Sequence, residues 1–133
     1  MRRIVKPLAE LGVRSGDVSG ILITHEHSDH IGGLAMMTKH HRIPVFTAPG
    51  TARRLAAAVP GLDGVLNEIT PGVPFDVGGF TVTAFKTPHD AVQSVGYRIE
   101  GSAVFALATD MGCVTDDILA ALHGTDAVII EAN

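Results

Sequence analysis

The chain has 133 residues, 46% hydrophobic and 18% charged, a composition that builds a globular domain with a sizeable core and excludes a disordered one. Its net charge of −4 advertises no basic nucleic-acid surface, although two bound divalent cations would place four positive charges at one spot. A single cysteine, Cys113, excludes an internal disulfide. No apolar run is long enough for a membrane span, and Met1-Arg2-Arg3 leads into a helical pattern rather than a signal peptide, so a cytoplasmic protein without membrane contact is expected.

Apolar Ile4, Val5, Leu8 and Leu11 at helical spacing predict a helix over 3–12, stopped by Gly12. Ile21 to Thr24 reads as a short buried strand running into a histidine cluster. A second helix is expected from Gly32 to His41, a strand over 44–47, and a third helix from Thr51 to Val59 closed by Pro60-Gly61. Strands are predicted at 65–69 and 80–86, with the stretch from Pro71 to Gly79 between them read as turns. Residues 94–99 and 103–108 form an expected hairpin around Glu100-Gly101-Ser102. Thr115 is placed to cap a helix that carries Asp116 and Asp117 in its first turn and ends at Gly124, before a last strand at 127–131. Met1 falls almost inside a helix and Asn133 follows a strand with no covering element, so both termini read as cut and the domain as partial.

The chemistry concentrates in His25-Glu26-His27-Ser28-Asp29-His30, four candidate ligands in six residues. Imidazole and carboxylate together suit zinc, manganese or iron. In an extended loop, residues two apart point the same way, so His25 and His27 can grip one metal. After a turn, Asp29 and His30 can face a second. The plain alternative is a histidine-rich surface loop, and two downstream positions argue against it. His89 follows a strand in Thr87-Pro88-His89-Asp90 and can complete the first site. Asp110 follows a strand in Thr109-Asp110-Met111-Gly112, and its two oxygens can bridge both metals.

Other positions take plainer readings. His40, His41 and His123 end helices, where cationic groups suit the dipole. Cys113 reads as a small buried thiol. Glu26 and Ser28 alternate with the ligands and are expected to face away from them. Asp90 is either a turn residue in solvent or the acceptor that fixes the His89 tautomer.

The phrases Ile-Thr-His-Glu-His-Ser-Asp-His-Ile-Gly-Gly-Leu (23–34), Thr-Pro-His-Asp-Ala (87–91), Ser-Val-Gly-Tyr (94–97), Ala-Thr-Asp-Met-Gly (108–112) and Ile-Ile-Glu-Ala-Asn (129–133) resemble the metallo-β-lactamase-fold superfamily, and within it the YycJ/WalJ-like branch. The resemblance covers essentially the whole chain. It implies an α/β fold, an αββα sandwich of which this chain holds an incomplete part, with a two-metal site at one edge of its sheets. By the same resemblance His25, His27 and His89 hold the first metal, Asp29 and His30 the second, and Asp110 bridges them. Two departures stand out: the strands that normally precede the first helix and the downstream histidine of the second site are both absent.

The resemblance further implies hydrolysis of phosphodiester bonds, with DNA attacked from a 5′ end by a hydroxide shared between two zinc or manganese ions, iron also fitting the ligand set. Asp29 can orient the nucleophile as well as bind metal. The alternatives are a hydrolase of the same fold acting on a small-molecule thioester, lactone or amide, and a catalytically incomplete chain that only binds metal.

Overall fold

The computed structural model describes residues 2–132; Met1 and Asn133, on which the reading of cut termini rests, lie outside the described residues. In chain order the elements are α1 (Arg2–Glu10), a 3-10 turn (Ser15–Asp17), β1 (Ile21–Leu22), α2 (Ser28–Ile31), α3 (Leu34–His41), β2 (Val45–Thr47), α4 (Pro49–Ala58), β3 (Leu66–Glu68), β4 (Phe75–Val77), β5 (Phe80–Lys86), β6 (Val95–Glu100), β7 (Val104–Met111), α5 (Asp116–Leu122) and β8 (Ala127–Ala132). Among the described residues no helix is long and apolar enough to cross a membrane.

The strands form two sheets. β1, β2 and β3 run parallel, with Ile21 opposite Val45 and Val45 opposite Leu66. Parallel neighbours need a crossover, and α2–α3 and α4 supply the two crossovers here. β4 to β7 form an antiparallel meander, and β8 joins β7 in parallel after the α5 crossover.

Three apolar clusters show why these layers stack. Leu34 and Leu55 from α3 and α4 pack with Ile23, Val45 and Val65 on one face of the parallel sheet. On its other face Leu22 and Phe46 meet Val82, Ala84, Val95 and Tyr97 of the second sheet. Phe85, Ala108 and Met111 turn to the opposite side of that sheet and meet Ile118 of α5. The period-2 alternation along β5 thus sends Val82 and Ala84 to one core and Phe85 to another. The order is helices, sheet, sheet, helix, the αββα arrangement implied by the sequence.

Several local expectations shift. The first helix ends at Glu10, and the chain then turns through Gly12 at φ +73°. Thr115 accepts a hydrogen bond from the Ile118 amide and caps α5 as expected. The stretch read as turns from Pro71 to Gly79 contains β4, which hairpins onto β5 with Val77 opposite Phe80. Gly78 and Gly79 form the two-residue connection with φ of +58° and +86°, the backbone that a tight hairpin requires and that glycine adopts without strain. Cys113 is exposed rather than buried. It sits in the connection that leaves β7 for α5, between Gly112 and Val114, both also exposed, so no layer covers it.

The two sheets are tied directly beneath the histidine loop. Tyr97 on β6 is fully buried, and its hydroxyl donates to the carbonyl oxygen of Ile23 at 2.7 Å. Thr47 Oγ1 donates to the same oxygen at 2.9 Å. The Val95 amide donates to the Thr24 carbonyl at 3.1 Å. Burial pushes the Tyr97 hydroxyl pKa well above its usual value, so it stays a donor at any ordinary pH.

Candidate metal centre

The loop that leaves β1 carries His25 and His27, and α2 carries His30 one turn later. His30 is therefore a helical residue, in the turn expected after His27. His89 comes from the connection between β5 and β6. Asp110 lies near the end of β7, where the register shifts between Ala108 and Met111. Asp110 has φ +55°, left-handed backbone that an aspartate tolerates better than most side-chain-bearing residues. The irregular backbone turns its carboxylate into the site rather than along the strand ladder.

These five side chains converge. The His25 ring lies 4.6 Å from the His27 ring, 4.1 Å from His30 and 4.7 Å from His89, and His27 to His89 is 4.9 Å. Two overlapping sets of ligand atoms result: His25 with His27 and His89, and His25 with His30 and Asp110, each set within 4.8 Å. The structure thus brings together His25, His27, His30, His89 and Asp110. It does not bring Asp29 into either set. Asp29 occupies the first turn of α2 with a side chain 78% exposed, and its Oδ2 lies 3.6 Å from His30 Nε2. Asp90 is also exposed, as a turn residue in solvent would be; its Oδ1 lies 3.3 Å from His89 Nδ1 but out of line for a hydrogen bond. His40, His41 and His123 are exposed at helix ends, away from this cluster.

The donor set fits a divalent cation. His25 is fully buried, and its Nδ1 is 3.0 Å from Thr24 Oγ1, which leaves Nε2 buried without a hydrogen-bond partner. Asp110 Oδ2 is likewise buried and unpartnered; it lies 3.0 Å from His30 Nε2 but out of line for a hydrogen bond. A buried imidazole nitrogen and a buried carboxylate oxygen cost free energy when nothing satisfies them. Divalent ions held by these two sets would answer both, and the His/carboxylate chemistry suits zinc or manganese. His27 Nδ1 and His89 Nε2 face each other at 3.1 Å, the further pair of the first set.

Burial, and then the neighbouring His30, His27 and His89, hold the His25 pKa down at about 4 against an ordinary 6.5, with Asp110 opposing them. His25 therefore stays neutral, the form that ligates, through the physiological range. The linkage consequence concerns the metal-free chain. Between pH 6.5 and about 4 the unfolded chain binds a proton at this residue that the folded chain refuses. Stability is expected to fall as pH drops through that window and to level off, for this group, below it. Urea midpoints of the metal-free chain across that range would test this, and a midpoint unchanged down to the lower limit would contradict it.

Beside the cluster, on the α1–α3 side, lies an apolar cleft of about 270 Å³ walled by Ile4, Leu8, Ile21, Leu34 and Met37, in which His30 is the one polar side chain.

Sequence reasoning missed Glu26 as a contributor. It faces away from the ligands as expected, but it is half-buried and its Oε1 accepts a 2.9 Å hydrogen bond from the Val92 amide. No spacing signal marks such a residue, because its partner is a backbone group more than sixty positions away.

All of residues 1–133 match the family model described as a beta-lactamase superfamily domain. Among curated relatives, the chain is 33% identical to an exodeoxyribonuclease YycJ of Bacillus anthracis, a match covering 94% of this chain and 47% of the relative. It is 31% identical to a ribonuclease Z of a Mycobacterium species (strain KMS), over 88% of this chain and 52% of that one. The chain thus spans about half the length of these curated relatives. Among solved structures it resembles the Rm3 metallo-β-lactamase, with a TM-score of 0.74 at 23% identity over 96% of this chain and 62% of that one. A B3 metallo-β-lactamase with an active-site glutamic acid matches with a TM-score of 0.75 at 21% identity over the same shares.

Proposed function

The chain belongs to the beta-lactamase superfamily, and from that premise we propose that it is a metal-dependent phosphodiesterase that degrades DNA from a 5′ end. The observation that carries the reading is the pair of ligand sets sharing His25, with His25 Nε2 and Asp110 Oδ2 buried and unpartnered at their centre. His25, His27 and His89 would hold one divalent ion, and His30 and Asp110 a second, zinc or manganese in either place. When bound, such ions supply Lewis acidity and bring the pKa of a coordinated water to about 7.

The remaining work falls to the chain's own residues. Thr24 Oγ1 fixes the His25 ring so that Nε2 points into the cluster. Asp90 Oδ1, 3.3 Å from His89 Nδ1, places a negative charge behind that ring and raises its basicity as a ligand. Asp29 Oδ2, exposed at the rim 3.6 Å from His30 Nε2, is placed to orient the attacking water and take up its proton. The phosphodiester reading rests on relatives named as exodeoxyribonucleases and ribonuclease Z. With two divalent cations held there, the local field of a chain whose net charge is −4 would be reversed, and an anionic backbone could approach. A lone cysteine suits a cytoplasmic enzyme.

Single-stranded DNA carrying a 5′ phosphate, offered with manganese or zinc beside a thioester, a lactone and a lactam, tests the proposal. Release of nucleotides from the 5′ end without turnover of the others is expected. Turnover of an ester or lactam with DNA left intact would overturn the substrate assignment.

A further inference from the structure

The centre is assembled from two sheets, and something must hold its halves in register. His25, His27 and His30 arrive from the parallel sheet; His89 arrives on the 87–94 loop of the other. The base of that loop closes on itself, through the Thr87 amide to the Ser94 carbonyl at 3.2 Å and the two hydroxyls of Thr87 and Ser94 at 2.7 Å. Its tip is held from across the sheets. The Val92 amide donates to Glu26 Oε1 at 2.9 Å, Thr51 Oγ1 donates to the Gln93 carbonyl at 3.0 Å, and the Gly50 amide donates to Gln93 Oε1 at 2.7 Å. Thr51 Oγ1 also lies 3.4 Å from Glu26 Oε2, so one hydroxyl proton is shared between the two acceptors, with the shorter bond going to Gln93.

The packing at this contact is close enough to need glycine. A Cβ at Gly50 would come within 2.8 Å of Gln93 Cβ and 3.0 Å of Val92 Cγ1. Glu26 is the only charged side chain in this clasp, and it lies between two ligands in sequence. Alternation along the extended segment sends His25 and His27 to the metal side and Glu26 to the other. The same tripeptide therefore supplies two ligands on one face and the anchor for the third on the other.

We propose that Glu26 is a positioning residue for His89: by accepting the Val92 N–H it sets the 87–94 loop so that the His89 ring meets His27 and completes the first ligand set. The inference rests on the metal-centre reading. It predicts that Glu26 governs metal affinity without touching metal or substrate. A Glu26→Ala chain keeps every ligand but leaves the loop tip free to drift, and ordering that loop then opposes metal binding. Glu26→Gln keeps an acceptor oxygen of the same reach and restores binding.

The test uses the full chain and cobalt(II), whose visible absorption reports ligation directly. Cobalt affinity of wild type, Glu26→Ala, Glu26→Gln and His27→Ala is measured by competition with a chelating dye, together with amide exchange at residues 90–93 and melting of the metal-free forms. Expected are a loss of about tenfold or more for Glu26→Ala, the scale typical of partners behind a ligand, recovery in Glu26→Gln, and faster exchange at Val92. If Glu26→Ala does not fold, Glu26→Asp, one methylene too short to reach Val92, is read in its place. A lower melting temperature with wild-type cobalt affinity would make Glu26 merely structural and overturn the proposal. So would equal losses in the Ala and Gln variants, which would assign the effect to charge. If His27→Ala abolishes the cobalt band while Glu26→Ala leaves affinity intact, this inference alone falls; a wild-type chain that binds no cobalt removes the metal centre and the inference with it.

Discussion

His25→Ala is expected to strip the purified chain of bound metal, because its Nε2 is a ligand of the first set and its ring packs 4.1 Å from the His30 ring of the second. The loss of affinity should exceed the roughly 10–100-fold that removal of a partner behind a ligand costs. The stabilisation conferred by metal should vanish with it. At a thousandfold excess over its dissociation constant an ion adds about 4 kcal/mol to folding stability, so the melting curves with and without metal should collapse onto one another. The metal-free variant itself should lose less, since removing the ring deletes a buried unpartnered nitrogen as well as packing. His40→Ala and His123→Ala, at exposed helix ends, serve as controls and should leave metal content unchanged. A His25→Ala chain that keeps its metal would remove His25 from the centre.

Asp110→Asn should change stability in opposite directions in the two states. Without metal, Asp110 Oδ2 is a buried carboxylate oxygen with no hydrogen-bond partner. Neutralising it relieves a desolvation cost of about 1–3 kcal/mol or more, and asparagine accepts the φ of +55° as readily as aspartate does. At about pH 8 the metal-free variant should therefore melt at or above the wild-type temperature. In the presence of manganese or zinc the order should invert, because an amide oxygen is a weaker ligand than a carboxylate. The inversion is the signature of a residue kept for chemistry at the expense of folding. A variant less stable than wild type without metal, and equally stabilised by it, would mark Asp110 as a structural residue.

The parts of this protein that were legible in its sequence are those where one local signal decides the outcome. The apolar run before His25, the Thr115 cap and the alternation along β5 each follow from periodicity or from a single hydrogen bond. The candidate ligands stood out because imidazoles at alternate positions after a strand have few other uses. What escaped depended on tertiary context or on an overlooked turn. β4 is three residues long, and its alternation of Phe75, Asp76 and Val77 was outweighed by the surrounding glycines and prolines. Gly78-Gly79 between Val77 and Phe80 is nevertheless a tight-hairpin signal that marks the strand. The exposure of Cys113 follows from which layers reach the end of β7, which no property of a cysteine foretells. Asp29 lies in the ligand motif, yet one helical turn directs it outward while His30 turns in. Glu26 acquires its role only when the 87–94 loop folds against it.

The metal centre can be tested most directly by anomalous scattering from crystals of the full chain grown with manganese. Density is expected in contact with His25 Nε2 and Asp110 Oδ2, both buried and without hydrogen-bond partners, and within reach of His27, His30 and His89. A fully loaded crystal with no anomalous peak there, or with manganese only at surface carboxylates, would contradict the assignment of a metal centre to these residues.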